Sequence, residues 1–208
     1  MKNNINSVQF HELYDTEKEY AIVMELCDGN LQNILNKRSS GFNRDEVLDI
    51  IKQLNNTFKI MSENKIIHRD LKLENILIKY DDKNKSKFTV KLTDYGVSRK
   101  ILTLSQKCNT YAGTIMTMAP EILEGEEHDI KCDLWSLGVI IYMLYFKNYP
   151  YMGMNEIGLI NQIKNLGKKI LKSSGNKNFD DLIKGLLTSN PNERLTWDQY
   201  FNHPFFEN

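Results

Sequence analysis

The chain has 208 residues, 41% of them hydrophobic and 26% charged, and its 27 basic and 27 acidic residues cancel to a formal net charge of zero. That size and balance fit one globular domain with its own core, and the lack of a basic excess argues against nucleic acid or a membrane surface as partner. Cys27, Cys108 and Cys132 form no CxxC pair and the four histidines are scattered, which favours reduced thiols in a cytosolic or nuclear protein over a disulfide framework or a zinc site.

The first residues, Met-Lys-Asn-Asn, are polar and lack the apolar stretch of a signal peptide. Val8 to Tyr14 and Tyr20 to Leu26 read as two strands joined by the charged turn Asp15–Glu19. The second strand is almost wholly apolar, so burial on both faces is expected of it. Asp28-Gly29-Asn30 breaks the pattern, and a short helix is predicted over Leu31–Leu35. From Asn43 the spacing turns helical: Val47, Ile50, Ile51, Leu54, Phe58 and Met61 fall on one face. Asn43 with Glu46 three residues on predicts a capping box at its start. Ile66-Ile67, Ile76–Ile78 and Phe88–Leu92 are short strand-type runs, with a solvated hairpin loop over Asp81–Lys87. After Pro120 the pattern is helical again. Leu134–Tyr145 is a mostly apolar helix whose core run is too short to span a bilayer, and amphipathic segments follow at Glu156–Ile163 and Phe179–Leu187. No repeat or second domain is visible, and the fold class expected is α+β.

Three motifs carry chemistry: His68-Arg69-Asp70-Leu71-Lys72-Leu73-Glu74-Asn75, then Asp94-Tyr95-Gly96, then Ala119-Pro120-Glu121. Phosphoryl transfer needs a carboxylate to orient a hydroxyl, a positive charge on the moving phosphoryl, and oxygen ligands for a hard cation. Asp70, Lys72, and the pair Asn75 and Asp94 can supply these in turn. Each motif alone is weak, but the three in this order and in matching strand and loop contexts are not.

On these residues the chain resembles a eukaryotic-type serine/threonine protein kinase, over essentially its whole length. The resemblance implies the protein-kinase-like fold, mainly its helical C-terminal lobe (27–208), with a two-strand remnant of the N-terminal lobe (1–26). It implies Asp70 as catalytic aspartate, Lys72 as catalytic-loop lysine, and Asn75 and Asp94 as ligands of Mg²⁺, with ATP as phosphate donor and protein serine or threonine as acceptor. Met24 would back the adenine, the backbones of Glu25 and Cys27 would hydrogen-bond it, Leu77 would lie beneath it, and Asn30 would sit near the ribose. The activation segment would run from Asp94 to Glu121. Thr110 stands where an upstream kinase would place a phosphate, with Arg69 to pair it; Tyr111, Thr103 and Ser105 compete for that role. Thr114 would contact Asp70 and Lys72. Glu121 would form a buried ion pair with Arg194, and Asp133 would anchor the catalytic-loop backbone. The tail Arg194–Phe206 and the segment Tyr149–Glu156 are similar to those of calmodulin-dependent and autophagy-initiating kinases.

The chain departs from the family pattern in holding no GxGxxG and none of the strand lysine and helix glutamate that pair over ATP. Leu73 replaces a usual proline, Tyr95 a phenylalanine, and Ile115 and Thr117 the usual proline and aromatic before Ala-Pro-Glu. Two expectations follow. In the first, the native reading frame extends further and the protein is an ATP- and Mg²⁺-dependent kinase of the cytoplasm or nucleus. In the second, the lobe is a catalytically impaired binding module, a scaffold or decoy.

Overall fold

The structure is a computed structural model that describes residues 4–16, 19–84, 87–95, 99–100, 115–152, 156–165 and 172–207. Seven short strands and seven α-helices are described, in an α+β order that is strand-rich at the start and helical after it. Strands β1 (Phe10–Asp15) and β2 (Tyr20–Met24) form an antiparallel hairpin in which Leu13 faces Ile22. Among the described residues this hairpin pairs only with itself. A second sheet has the order β3 (Gly29–Asn30), β5 (Ile76–Tyr80), β6 (Phe88–Leu92), all antiparallel. A third joins β4 (Ile66–Ile67) to β7 (Arg99–Lys100).

The core is helical. Helix α1 (Leu31–Lys37) starts at Asn30, whose side chain accepts from the Asn33 amide, so this oxygen is engaged in capping. Helix α2 (Arg44–Glu63) has the expected capping box between Asn43 and Glu46, and all six residues of its predicted face are buried. Both halves of that box satisfy amides that a helix start otherwise leaves orphaned. Helix α3 (Pro120–Leu123) carries Glu121 inward. In α4 (Cys132–Phe146) every residue from Cys132 to Leu144 is buried. A helix apolar on all sides needs neighbours on all sides; α2 and α6 (Lys177–Leu186) pack directly on it, while α5 (Glu156–Lys164) packs on α3. Gly138 lets α6 approach closely: a Cβ there would lie 2.8 Å from that of Leu186. Helix α7 (Trp197–Phe201) closes the far side, its Tyr200 hydroxyl donating to Asn55 Oδ1 at 2.7 Å.

One expectation fails. Strand β2 is exposed along its length, with Tyr20 at 74% and Ile22 at 60%. Apolarity signals a capacity for burial, but no described element packs on either face of the hairpin. The strands are also shorter than predicted: β1 begins at Phe10 rather than Val8 and ends at Asp15 rather than Tyr14, and β2 ends at Met24 rather than Leu26. The residues before β1 behave differently. Asn4–Val8 lie against β6 in parallel: Val8 N donates to Leu92 O and Leu92 N to Asn6 O, both at 2.9 Å. Asn6 Nδ2 reaches Val90 O, and Asn4 Nδ2 reaches the buried Thr57 hydroxyl, each at 2.8 Å. No helix among the described residues is long and apolar enough to cross a membrane.

Candidate active site

The loop after β4 is drawn onto the core at alternate positions. Leu71 and Leu73 are fully buried, and this holds Lys72 between them at the surface of the core. Its backbone is fixed from α4: the amides of His68 and Arg69 donate to the two oxygens of Asp133, at 2.7 and 2.9 Å. Asp133 is 1% exposed. Burial pushes its carboxyl up, while His68 and these two amides pull in the opposite direction. Arg69 takes a left-handed φ of 68°, a conformation that costs a side-chain-bearing residue about 1 kcal/mol and that the two bonds to Asp133 stabilise.

Asp70, Lys72 and Asn75 come together. Asp70 Oδ2 accepts from Lys72 Nζ at 2.7 Å and from Asn75 Nδ2 at 3.0 Å, and Asn75 Nδ2 also donates to the Asp70 carbonyl at 2.9 Å. Because these partners only accept, the Asn75 amide nitrogen faces Asp70 and its Oδ1 faces the other way. Asp94 approaches through the β5–β6 ladder. Ile76 pairs with Leu92, Thr93 N donates to Asn75 O at 3.0 Å, and Asp94 follows, exposed, with φ 61°. The His68 ring donates Nε2–H to the Thr93 carbonyl at 2.9 Å and lies against the Tyr95 ring, centroids 5.2 Å apart. Burial raises the Tyr95 phenol to about 12, against a small opposing effect of its bond to Ser7.

Oxygen donors of an amide and a carboxylate suit a hard divalent cation, so Asn75 Oδ1 and Asp94 fit Mg²⁺ in chemical type. The residues expected around adenine lie along one strip. Met24 ends β2 and is half-exposed; Cys27 is half-buried, its thiol pushed up by burial and by Glu25. Leu77, half-buried on β5, pairs with Asn30. Asp28 N donates to Ile78 O at 2.8 Å and Lys79 Nζ to Leu26 O at 2.9 Å, which seats the strip on β5. The Glu25 amide is engaged with Gln9 O at 2.8 Å. Asn30 caps α1, its Oδ1 accepting from Asn33 N at 2.9 Å. Thr110 and Thr114 lie outside the described residues, as do Thr103, Ser105, Tyr111 and Gly96.

Glu121 and Arg194 form the expected pair, bidentate at 2.6 and 2.8 Å and buried on both sides. Two features escaped the motif reading. Lys91, 6% exposed on β6, pairs with Glu25 at 3.0 Å and donates to Ile5 O at 2.7 Å; a lysine inside an apolar strand run was its only signal. An open cavity of about 490 Å³ adjoins the turn at Glu74, lined by Leu35, Met116, Met143, Tyr149 and Met152 among others.

A family model described as protein kinase domain matches residues 2–206. The chain is 34% identical over 198 residues to a serine/threonine-protein kinase 33 of Bos taurus, covering 91% of this chain and 40% of that protein. It is 34% identical over 200 residues to the serine/threonine-protein kinase TIO of Arabidopsis thaliana, covering 96% and 14%. It is 30% identical over 206 residues to the serine/threonine-protein kinase ATG1b of the same plant, covering 98% and 28%. The chain thus spans well under half the length of these curated relatives.

Proposed function

The chain belongs to the protein kinase family, and from that premise we propose that it transfers the γ-phosphate of ATP to serine or threonine hydroxyls of protein substrates. The observation that carries this reading is the Asp70 carboxylate held by Lys72 and Asn75. Asp70 accepts the hydrogen bond of the incoming hydroxyl and aligns its oxygen for attack. Lys72, already against that carboxylate, places its ammonium where charge builds on the transferred group. Asn75 Oδ1 and Asp94 would hold Mg²⁺, which would supply positive charge against the phosphates. Met24, the backbones of Glu25 and Cys27, and Leu77 receive the adenine. A phosphate on Thr110, added by an upstream kinase, pairs with Arg69 and orders the segment that contains Thr114.

The test is incubation with γ-labelled ATP, Mg²⁺ and a mixture of serine- and threonine-containing peptides. Label on those hydroxyls, lowered about 100-fold or more in Asp70→Asn, is the expected result. A second reading, the lobe as a binding module, is favoured by the exposed apolar side chains of the β1–β2 hairpin. It takes over if no label appears and the chain binds no nucleotide in the presence of Mg²⁺.

A further inference from the structure

We propose that Ser7 is a positioning residue for Asp94, acting through the hydroxyl of Tyr95; this rests on the reading of Asp94 as a Mg²⁺ ligand. Asp94 is exposed and left-handed, so its own side chain and backbone contribute little to holding it in place. Its two neighbours do the holding. On one side Thr93 is fixed by Asn75 O through its amide and by the His68 ring through its carbonyl. On the other side Tyr95 rests its ring on His68 and its hydroxyl lies 3.0 Å from Ser7 Oγ. A phenylalanine would keep the ring contact and lose the second attachment.

Ser7 is a firm anchor. It is 2% exposed, bridges to Leu92 in parallel, and donates its amide to Asn4 O at 3.1 Å. The residues beside it are bonded to Leu92, Val90 and, through Asn4, to Thr57 on α2. The hydroxyl that meets Tyr95 is thus fixed to the same sheet whose end carries Asp94. The result is a closed loop: β6 leads through Thr93 and Asp94 to Tyr95, and Ser7 returns the chain to β6. A turn tied at both ends holds Asp94 in place beside Thr93, whose amide is bonded to Asn75 O, before a cation arrives, which lowers the ordering cost of binding it. Ser7 precedes Tyr95 by 88 residues and lies in no motif of the active site.

The experiment compares the full chain with Ser7→Ala, Tyr95→Phe, the double variant and Ser7→Thr, which keeps the hydroxyl. Two readouts are taken: the Mg²⁺ concentration giving half-maximal ADP binding, and amide exchange at Thr93–Tyr95 without nucleotide. The expected result is a midpoint raised roughly 3- to 10-fold in each of Ser7→Ala and Tyr95→Phe, the range of one lost neutral hydrogen bond. The double variant is no worse than either, Ser7→Thr stays near wild type, and faster exchange is confined to 93–95. An unchanged midpoint in both single variants, with a wild type that binds normally, overturns the role of Ser7 alone. Faster exchange throughout β5 and β6 with an unchanged midpoint also overturns it, leaving a merely structural contact. A wild type that binds no ADP at any Mg²⁺ concentration overturns the phosphoryl-transfer reading first, and the positioning role with it.

Discussion

Arg194 is 1% exposed, yet all its donors are placed. Nη1 and Nη2 meet Glu121 and also donate to the carbonyls of Lys131 and Ser189, and Nε donates to that of Thr188. A buried ion pair of this kind has its energetic weight in what happens when it is broken, because one partner alone is a desolvated charge with nothing to offset it. Glu121→Ala should therefore destabilise the chain by roughly 3–5 kcal/mol, read from denaturant unfolding. Replacing both residues with methionine should recover most of that loss, since two apolar side chains of similar length leave no uncompensated charge. If the double variant is as unstable as Glu121→Ala, the carbonyl contacts of Arg194 rather than the ion pair carry the region. Asp133 plays the same part for the backbone of His68 and Arg69, and both anchors lie on helices whose apolar pattern gives no reason for a carboxylate.

At the scale of elements, glycines mark where backbones touch. A Cβ on Gly41 would fall 1.9 Å from the Tyr145 carbonyl oxygen, at the point where Phe42 N donates to Leu144 O at 2.7 Å. Gly41→Ala must push the loop before α2 off the end of α4, and a loss of about 3 kcal/mol is expected in thermal or denaturant unfolding. Gly175, with φ 80° and open space around it, should cost only about 1 kcal/mol on the same change. A similar loss at the two sites would mean that α4 shifts to accommodate the methyl. Such crossings are invisible in a pattern of apolar spacing, which is also why the sequence reading does best where one element decides its own structure. Helix α2 and its capping box, α4, and the β5–β6 hairpin follow from periodicity and from local side-chain chemistry. The cluster of Asp70, Lys72 and Asn75 lies within six residues, so its proximity follows from the chain itself. Strands β3, β4 and β7 have two residues each, too few for any period. The docking of Asn4–Val8 uses polar side chains whose partners lie 53 to 88 residues away. The burial expected of β2 fails for the converse reason: an apolar strand does not specify what lies against it.

At the scale of the whole molecule, acid should act in two stages. Burial lowers the His203 imidazole below its usual 6.5, against an opposing pull from Asp181, and its Nδ1 accepts from Phe205 N at 3.2 Å. Between the lowered and the ordinary value the unfolded chain holds the extra proton, so stability is present above about pH 6.5 and falls as the pH drops through the folded value. For the Asp180 carboxyl, burial pushes upward but hydrogen bonds from Ser173 and Ser174 prevail and leave it below 3.8. Its contribution is present above that value and is lost as the pH falls through the folded one. Melting temperature followed from pH 7.5 to 3 should drop in both windows. The upper drop should shrink in His203→Gln; an identical upper drop in that variant would assign it to another group.

The order of synthesis gives the docked N-terminal segment a further meaning. Asn4–Val8 leave the ribosome well before Thr57, Val90, Leu92 and Tyr95, which must be present before the segment can be seated. At the usual 5–20 residues per second, the 88 residues between Ser7 and Tyr95 amount to a wait of roughly 4–18 s. Throughout that interval Asn4–Val8 lack these later partners, and each nascent chain is open to capture by chaperones or by its neighbours on the same message. Translation speed between the codons of Ser7 and Tyr95 therefore belongs among the determinants of yield, and slow codons in that stretch should cost more soluble protein than slow codons after it.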